Sequence, residues 1–386
     1  MVTQDSWAGS PARSGQGQDP HRSLHSEVAA RPGEHPGRSK NPLVKVAGLA
    51  WLEFEKPDLD RAGRFGTDFG FTVADRTPET LVLRGRQAAA ACLVVRRGPR
   101  ARFVGPAFQA AERDDLDRLA RGMGGTVAAH QGGHAVLLRD PSGFPVRVVH
   151  GVPELPALPE RAPLPVNFGT EPVRVNATQR PARQPAQIQR LGHVVLGTTR
   201  FGAALDWYLD TLGLIVSDFL YLDGQRDRGP AMAFIRCDLG SVPADHHTLA
   251  MALQPHTGYL HSAYELTDLD EVAASGEYLR EQGYRHAWGL GRHIQGSQIF
   301  DYWRDPDGFI VEHFADGDMF DCTLEPGWAP LTASGLAQWG PRATKDFLGI
   351  NPKSIPHEAQ TMLSALRGDN EFDLRSLIGL MKVAKS

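Results

Sequence analysis

A five-residue motif occurs twice in the chain, and this repetition constrains the fold more than any other feature. Residues 140–144 read Asp-Pro-Ser-Gly-Phe, and residues 305–309 read Asp-Pro-Asp-Gly-Phe. Each copy lies between two short runs rich in apolar residues, so each predicts a tight turn that joins two strands. Similar patterns of apolar residues precede both copies. We interpret the chain as an internal duplication.

The apolar pattern predicts the same order of elements in both halves. In the first half, helices are predicted at 58–69 and 114–123, each preceded by one strand and followed by further strands. The pattern restarts at Ile188, with helices predicted at 201–212 and 268–282. Each half therefore consists of two consecutive βαβββ modules, and the predicted fold class is α+β.

These patterns divide the 386 residues into five segments. The N-terminal stretch has too few large apolar residues to offset the entropy of ordering. A Pro-rich connector separates the halves, and an irregular region with an amphipathic helix around 357–385 follows them. The predicted segments are a disordered tail at 1–42, an N-terminal domain at 43–152, the connector at 153–186, a C-terminal domain at 187–316, and a lid with a helical extension at 317–386.

Composition restricts the class of protein. The net charge is −4 and no run of Lys or Arg stands out, which argues against a nucleic-acid partner. No apolar run approaches the roughly 20 residues that a membrane helix needs. The three cysteines are far apart and lack metal-ligand spacing, as is typical of a reducing compartment. We expect a soluble cytoplasmic protein that does not bind a membrane.

Residues 291–313 form a predicted hairpin with four chemically capable side chains: His293, Tyr302, Asp305 and Glu312. Glu312 lies on a strand among apolar neighbours. A buried carboxylate must be paired or bind a metal, because burying it alone costs about several kcal/mol or more. The alternative is a Glu that points outward from an edge strand.

Two histidines are placed similarly to Glu312. His193 and His261 lie in the middle of strands that open the two modules of the second half. Each alone is more often a core or surface histidine than a ligand. Together with Glu312, however, they form the two-His, one-carboxylate set that leaves open positions on a non-haem Fe(II).

The duplication provides an internal comparison for these three positions. When the halves are aligned by their first strands and by the repeated turn, His193 falls on Ala50, His261 on Gly105 and Glu312 on Arg147. All three candidate ligands are absent from the first half although the framework is kept. Joint loss is expected if the three side chains hold one metal. We therefore predict that the domain at 187–316 binds the metal and that the domain at 43–152 lacks it.

The same residues carry a resemblance to a known family. The hairpin motif comprises Gly291, His293, Tyr302, Asp305, Pro306, Gly308 and Glu312. It resembles the closing motif of type I extradiol ring-cleaving dioxygenases, which belong to the vicinal oxygen chelate superfamily. The segments LGHVVL with His193, LHSAYEL with His261 and HHT at 246–248 resemble the other motifs of that family. One departure is Asp301, where the family usually has an apolar residue.

The resemblance implies a fold and a reaction. The fold would be the glyoxalase-like one, with tandem βαβββ modules forming two open-barrel domains. His193, His261 and Glu312 would hold Fe(II), or Mn(II), which accepts the same ligands. The substrates would be O₂ and a catechol or other polyhydroxylated aromatic, cleaved next to the diol in aromatic catabolism. Family members are commonly homo-oligomers, and the C-terminal helix is one possible contact.

Three further residues receive catalytic roles from the resemblance. Tyr302 would donate a hydrogen bond to a substrate oxygen, His293 would orient the ring, and His247 would transfer a proton. His246 is the alternative to His247. Neighbouring residues of a strand face opposite sides, so only one of the two histidines can point into the barrel, and the other would be exposed. Other functions use the same fold: a glyoxalase-like isomerase, a drug-sequestering resistance protein or another non-catalytic binding protein.

Overall fold

The first helix begins and ends where the sequence predicts, at a capping residue and a glycine. The computed structural model describes residues 27, 28, 30–348 and 355–384. Asp58 accepts the backbone N–H of Arg61 at the start of the first helix, and Gly70, with φ 119°, ends it. The helices are α1 (Leu59–Phe69), α2 (Arg113–Met123), α3 (Phe201–Leu212), α4 (Leu269–Glu281), α5 (Ile355–Arg367) and α6 (Leu374–Val383).

The first half of the chain builds an open sheet of eight strands. Its strands are β2 (Val46–Lys56), β3 (Thr72–Arg76), β4 (Thr80–Arg84), β5 (Leu93–Arg97), β6 (Arg102–Ala110), β7 (Val127–His130), β8 (Gly133–Arg139) and β9 (Pro145–His150), after a short β1 (Glu27–Val28). Their order in the sheet is β3-β4-β5-β2-β6-β9-β8-β7. The central pair β2 and β6 is antiparallel, whereas β2 with β5 and β6 with β9 are parallel.

The second half builds a sheet with the same order of pairing. Its strands are β10 (Leu191–Thr198), β11 (Leu214–Leu222), β12 (Met232–Cys237), β14 (Leu249–Leu253), β15 (Gly258–Glu265), β16 (Arg285–His293), β17 (Ile299–Arg304) and β18 (Ile310–Ala315), with β20 (Gly327–Leu331) and β21 (Ala337–Trp339) added; β13 (Ala244–Asp245) and β19 (Met319–Phe320) pair separately. The core order β11-β12-β14-β10-β15-β18-β17-β16 repeats that of the first sheet. The predicted tandem βαβββ architecture is therefore confirmed.

The repeated turns join the two halves. Asp305, in the second turn, pairs with Lys56 of the first sheet, and all but a few per cent of both side chains is buried. Asp140, in the first turn, accepts a hydrogen bond from Tyr208 of α3 at 3.2 Å. Each turn therefore contacts the opposite half, and apolar residues of both halves share one core.

Part of the predicted disordered tail is bound to the second sheet, so the boundary at residue 42 is wrong. Residues 1–26 and 29 lie outside the described residues. Glu34 pairs with Arg226 at 2.7 Å, and the carbonyl of Gly37 accepts the N–H of Val216 at 2.7 Å. β1 adds to the edge formed by β20. Composition did not predict these contacts, because they are backbone hydrogen bonds and ion pairs.

The C-terminal region also differs from the prediction. β20 and β21 extend the second sheet beyond the expected boundary at residue 316, since β20 pairs with β11 and β21 with β16. The single predicted helix is two helices in the described residues. Gly368 follows the first, and Asp373 caps the second by accepting the N–H of Ser376 at 2.8 Å. Within the described residues, no helix has the length and apolar character needed to cross a membrane.

Candidate metal centre

Three adjacent strands bring the candidate ligands to one face of the second sheet. His193 of β10 and Glu312 of β18 both pair with Ala263 of β15, from opposite sides. His261 lies two residues before Ala263 on the same strand, so its side chain points to the same face. Residues far apart in the sequence therefore meet at one point because β15 lies between β10 and β18.

The ligand atoms of His193, His261 and Glu312 lie within 4.8 Å of one another. Oε2 of Glu312 is 3.3 Å from Nε2 of each histidine. His193 and Glu312 are buried, whereas 13% of the His261 side chain is exposed, so the centre is accessible from the His261 side.

The environment of Glu312 fits a bound cation. Both carboxylate oxygens are buried and make no hydrogen bond with any described group. Such a carboxylate is costly unless it is paired or binds a metal. Burial alone would raise the pKa of Glu312, but the imidazoles of His193, His261 and His293 hold this pKa well below its usual range. Two histidines and an ionised carboxylate form a donor set for a divalent transition metal.

His293 and Tyr302 lie beside the three ligands. Tyr302 pairs with Glu312 across β17 and β18, and its hydroxyl is 2.8 Å from Nε2 of His293. Nδ1 of His293 is 2.7 Å from the carbonyl oxygen of Leu336, so this nitrogen carries a hydrogen. In the neutral ring, Nε2 then accepts the Tyr302 hydroxyl. Burial raises the pKa of Tyr302 well above its usual value, which keeps it a donor.

His246 and His247 both lie inside the domain, and the expectation that one of them is exposed is wrong. Both side chains are buried, and their Nδ1 atoms are 2.9 Å apart. The His247 ring lies against that of His193, with 3.9 Å between centroids. Burial, with His193 and His246 nearby, holds the pKa of His247 well below its usual value. Strand alternation does not apply because both residues precede β14.

An aromatic wall adjoins the centre. The ring of Phe347 lies 4.5 Å from Trp288, 4.8 Å from Tyr302 and 6.4 Å from His261. Sequence reasoning did not identify Phe347 or Trp288, since nothing local in the irregular segment around Phe347 points to a site. The segment after β21 therefore supplies part of the site.

Asp301, the departure from the family motif, does not face the centre. Its carboxylate contacts Nε2 of His286 at 2.6 Å and accepts the indole N–H of Trp303 at 2.8 Å. Tyr302 and Asp301 are neighbours on a strand and point to opposite faces. Asp301 therefore leaves the shape of the candidate site unchanged.

The register of the first sheet corrects one of the three internal equivalences. Trp51 and Arg147 both pair with Ala107. This is the pairing that His193 and Glu312 make with Ala263, so His193 corresponds to Trp51 and not to Ala50. Both halves have the same irregularity before this position, between Leu49 and Trp51 and between Leu191 and His193, so the offset arose because the first strands were matched by their apolar pattern without the register.

The other two equivalences agree with the register, and the first sheet has no such donor set. Gly105 lies two residues before Ala107, as His261 lies before Ala263, and a side chain at Gly105 would overlap the carbonyl of Pro145. Arg147 donates to Glu53 at 2.7 Å, and the indole N–H of Trp51 donates to the same oxygen at 3.2 Å. An ion pair and a tryptophan therefore take the place of the ligands.

Comparisons with known proteins agree with this geometry. Residues 190–313 match the family model described as Glyoxalase/Bleomycin resistance protein/Dioxygenase superfamily. The chain is 31% identical over 337 residues to metapyrocatechase 2 of Cupriavidus necator, covering 86% of this chain and 98% of that protein. It is 25% identical to the iron-dependent extradiol dioxygenase of Rhodococcus jostii, covering 80% of this chain and 100% of that protein.

A solved structure shares the fold. It is the Mn(II)-bound glyoxalase from Novosphingobium aromaticivorans, with a TM-score of 0.65 and 22% sequence identity. The similarity covers 78% of this chain and 94% of that one.

Proposed function

Since the chain belongs to the type I extradiol dioxygenases of the vicinal oxygen chelate superfamily, we propose that it cleaves a catecholic ring next to the diol, with O₂ as the second substrate. The observation that carries the proposal is the buried Glu312 carboxylate. It lies 3.3 Å from Nε2 of both His193 and His261 and makes no hydrogen bond with any described group. These three residues would hold Fe(II).

The metal contributes the chemistry that side chains cannot. When bound, Fe(II) acts as a Lewis acid that favours an ionised catechol oxygen, and it supplies redox chemistry for O₂. The R. jostii relative is named as iron-dependent, which supports iron. Mn(II) is the alternative, since it accepts the same donors.

The surrounding residues would bind and orient the ring. Tyr302 is a neutral phenol, and with a catechol bound its one hydrogen would turn from Nε2 of His293 to a catechol oxygen. The Leu336 carbonyl fixes the His293 ring and leaves Nε2 directed towards Tyr302. Phe347 is partly buried and would offer aromatic surface to the ring or to an apolar substituent, whereas the buried Trp288 packs against Phe347 and supports it.

We assign proton transfer to His247. Its ring lies against His193, and its low pKa favours the neutral form, in which one nitrogen accepts and the other donates. A neutral imidazole can receive a proton from a catechol hydroxyl and return it when the ring opens.

Metal content and isotope incorporation test the proposal. We expect one iron per chain by elemental analysis and O₂ consumption with one or more of a panel of catechols. With ¹⁸O₂, mass spectrometry of the ring-opened product should detect both labelled atoms. Absence of O₂ uptake with every catechol, in protein that retains stoichiometric iron, would contradict ring cleavage.

The alternatives are a glyoxalase-like isomerase and a non-catalytic binding protein. The fold similarity to the N. aromaticivorans glyoxalase favours the first, but such an enzyme is expected to draw more than one Glu from paired modules. Here Arg147 occupies the place in the first sheet that corresponds to Glu312. Conversion of a glutathione hemithioacetal without O₂ would support the isomerase.

We also propose that the chain forms homo-oligomers in the cytoplasm. The three cysteines are free, as suits a reducing compartment. Leu374, Ile378 and Met381 lie on one side of α6 and are exposed. Light scattering should report a mass above that of one chain, and Ile378→Glu should lower it.

A further inference from the structure

A chain of three buried side chains leads to the candidate metal centre from the far side of His247. Nε2 of His246 is 2.8 Å from Oδ2 of Asp218, and Nδ1 of His246 is 2.9 Å from Nδ1 of His247. All three residues are at most 4% exposed. His247 then contacts His193. Asp218 therefore connects to the centre through two imidazoles.

The hydrogen-bond partners determine where the hydrogens lie. An ionised carboxylate only accepts, so Nε2 of His246 carries a hydrogen. In the neutral ring, Nδ1 of His246 is then an acceptor, and Nδ1 of His247 must donate to it. This leaves a lone pair on Nε2 of His247, which has no hydrogen-bond partner among the described residues.

The surroundings hold His246 in this arrangement. Its N–H donates to the carbonyl of Asp318 at 2.8 Å, and its carbonyl accepts the hydroxyl of Ser217 at 2.6 Å. Gly296, with φ +80°, lies so close that an added Cβ would be 2.9 Å from Nδ1 of His246. Arg236, fully buried, donates to Ser217 at 2.8 Å and places a positive charge near Asp218.

The duplication shows that the histidine pair accompanies the donor set. By strand register, Leu249 corresponds to Leu93, so His246 and His247 correspond to Ala90 and Ala91. Asp218 corresponds to Asp75. Asp218 pairs with β12 and Asp75 with the equivalent strand β4, and each residue directly follows a register irregularity. Asp75 is exposed. The half without the three ligands thus keeps the acid but lacks both histidines.

We infer that Asp218 is a positioning residue for ring cleavage. Through His246, it sets the orientation of the His247 ring and places the hydrogen of that ring on Nδ1, so that Nε2 is free to accept a proton. This inference rests on the proposed function for its kinetic consequences. It also gives a role to His246, which was expected to be exposed if His247 transfers the proton.

Asp218→Asn tests the inference, with Asp75→Asn as the matched control in the first half. The variant should keep iron and bind catechol anaerobically like the parent, because no ligand changes. Its kcat should fall by about 10- to 100-fold, the usual cost of removing a residue that orients a metal-site group. Asp75→Asn should leave kcat within about twofold.

Two further arms separate positioning from a structural role. In a His247→Asn background, Asp218→Asn should lower kcat by less than about a further twofold, because its effect passes through His247. A double variant whose loss of kcat equals the product of the two single losses would overturn the inference. If Asp218→Asn does not fold, His246→Phe removes both nitrogens but keeps a ring, and the same tests apply.

A spectroscopic arm is independent of activity. In ¹⁵N-labelled metal-free protein, His247 should be the Nδ1–H tautomer, and Asp218→Asn should shift it towards Nε2–H. An unchanged tautomer would overturn the inference. If the parent protein cleaves no catechol, the proposed function fails, while the tautomer measurement still decides whether Asp218 sets the hydrogens of His247.

Discussion

Trp51 lies in the first sheet at the position that His193 holds in the second. Both pair with an alanine of the neighbouring strand, Ala107 or Ala263, and both are buried. The indole of Trp51 donates to the Glu53 carboxylate, which Arg147 also binds, so the buried polar groups at this place in the first sheet pair with one another. Among the described residues, the two-His, one-carboxylate donor set therefore lies in the second half and not in the first, although both halves keep the same order of strands.

The first prediction concerns metal binding. His261→Ala and Glu312→Ala should each lower iron to under about a tenth of the parent stoichiometry and abolish turnover, since a two-ligand site has lost one third of its donors. Elemental analysis after desalting measures this directly. His134→Ala, at an exposed position of the first sheet, is the control. A variant of either ligand that keeps one iron and normal turnover would show that the ligand assignment is wrong.

A second prediction separates proton transfer from metal binding. His247→Asn should retain iron and bind catechol under anaerobic conditions, because the three ligands are intact. Turnover should fall by about 10²- to 10⁴-fold, the usual contribution of a placed acid–base group. Anaerobic titration and steady-state O₂ uptake are the two measurements. Lost catechol binding would instead assign His247 to substrate recognition.

Lys56 provides a test of the junction between the halves. It pairs with Asp305 and, at 3.0 Å, with Asp307, and only 7% of its side chain is exposed. Lys56→Met should destabilise the protein by about 3–5 kcal/mol, because the buried Asp305 carboxylate loses the cation that pairs with it, although Asp307 keeps its pair with Arg61. Lys45→Met is the control, since Lys45 is 53% exposed and its pair with Asp238 is worth under about 1 kcal/mol. Equal urea midpoints for the two variants would contradict the prediction.

Two N-terminal deletions should behave differently. Removal of residues 1–26 should leave the melting temperature nearly unchanged, since their composition offers little to bury. Removal of residues 1–40 also deletes Glu34, whose pair with Arg226 is worth about 1–3 kcal/mol, and should lower the melting temperature by about a few degrees. Calorimetry compares the two, and Glu34→Gln isolates the ion pair. Identical melting temperatures would show that these contacts contribute no stability.

The cysteines should differ in reactivity. Burial raises the pKa of Cys92 and of Cys237 to about 12, so neither forms a thiolate at neutral pH. Cys322 is only half-buried. Titration with a coloured disulfide reagent should detect at most one thiol in the folded protein and three after unfolding. Cys322→Ser should remove the fast-reacting thiol, and reaction of a second thiol at the same rate would contradict the prediction.

Local features of the sequence were sufficient for the order of elements. The Asp58 cap, the glycines that end helices and the two Asp-Pro-x-Gly-Phe turns act over a few residues, and the structure places them as predicted. The same holds for the candidate ligands His193, His261 and Glu312, because a spaced motif and an internal duplication identify them without knowledge of the register.

Only the tertiary structure decided the register and the long-range partners. The pairing of Trp51 with Ala107, which matches that of His193 with Ala263, moved the equivalent of His193 from Ala50 to Trp51, and an offset of one residue exchanges the two faces of a strand. The Asp218–His246–His247 chain and the contact of Phe347 with Tyr302 join segments far apart in the sequence. Apolar periodicity reports which face of an element is buried, but it carries no information about which distant element that face meets.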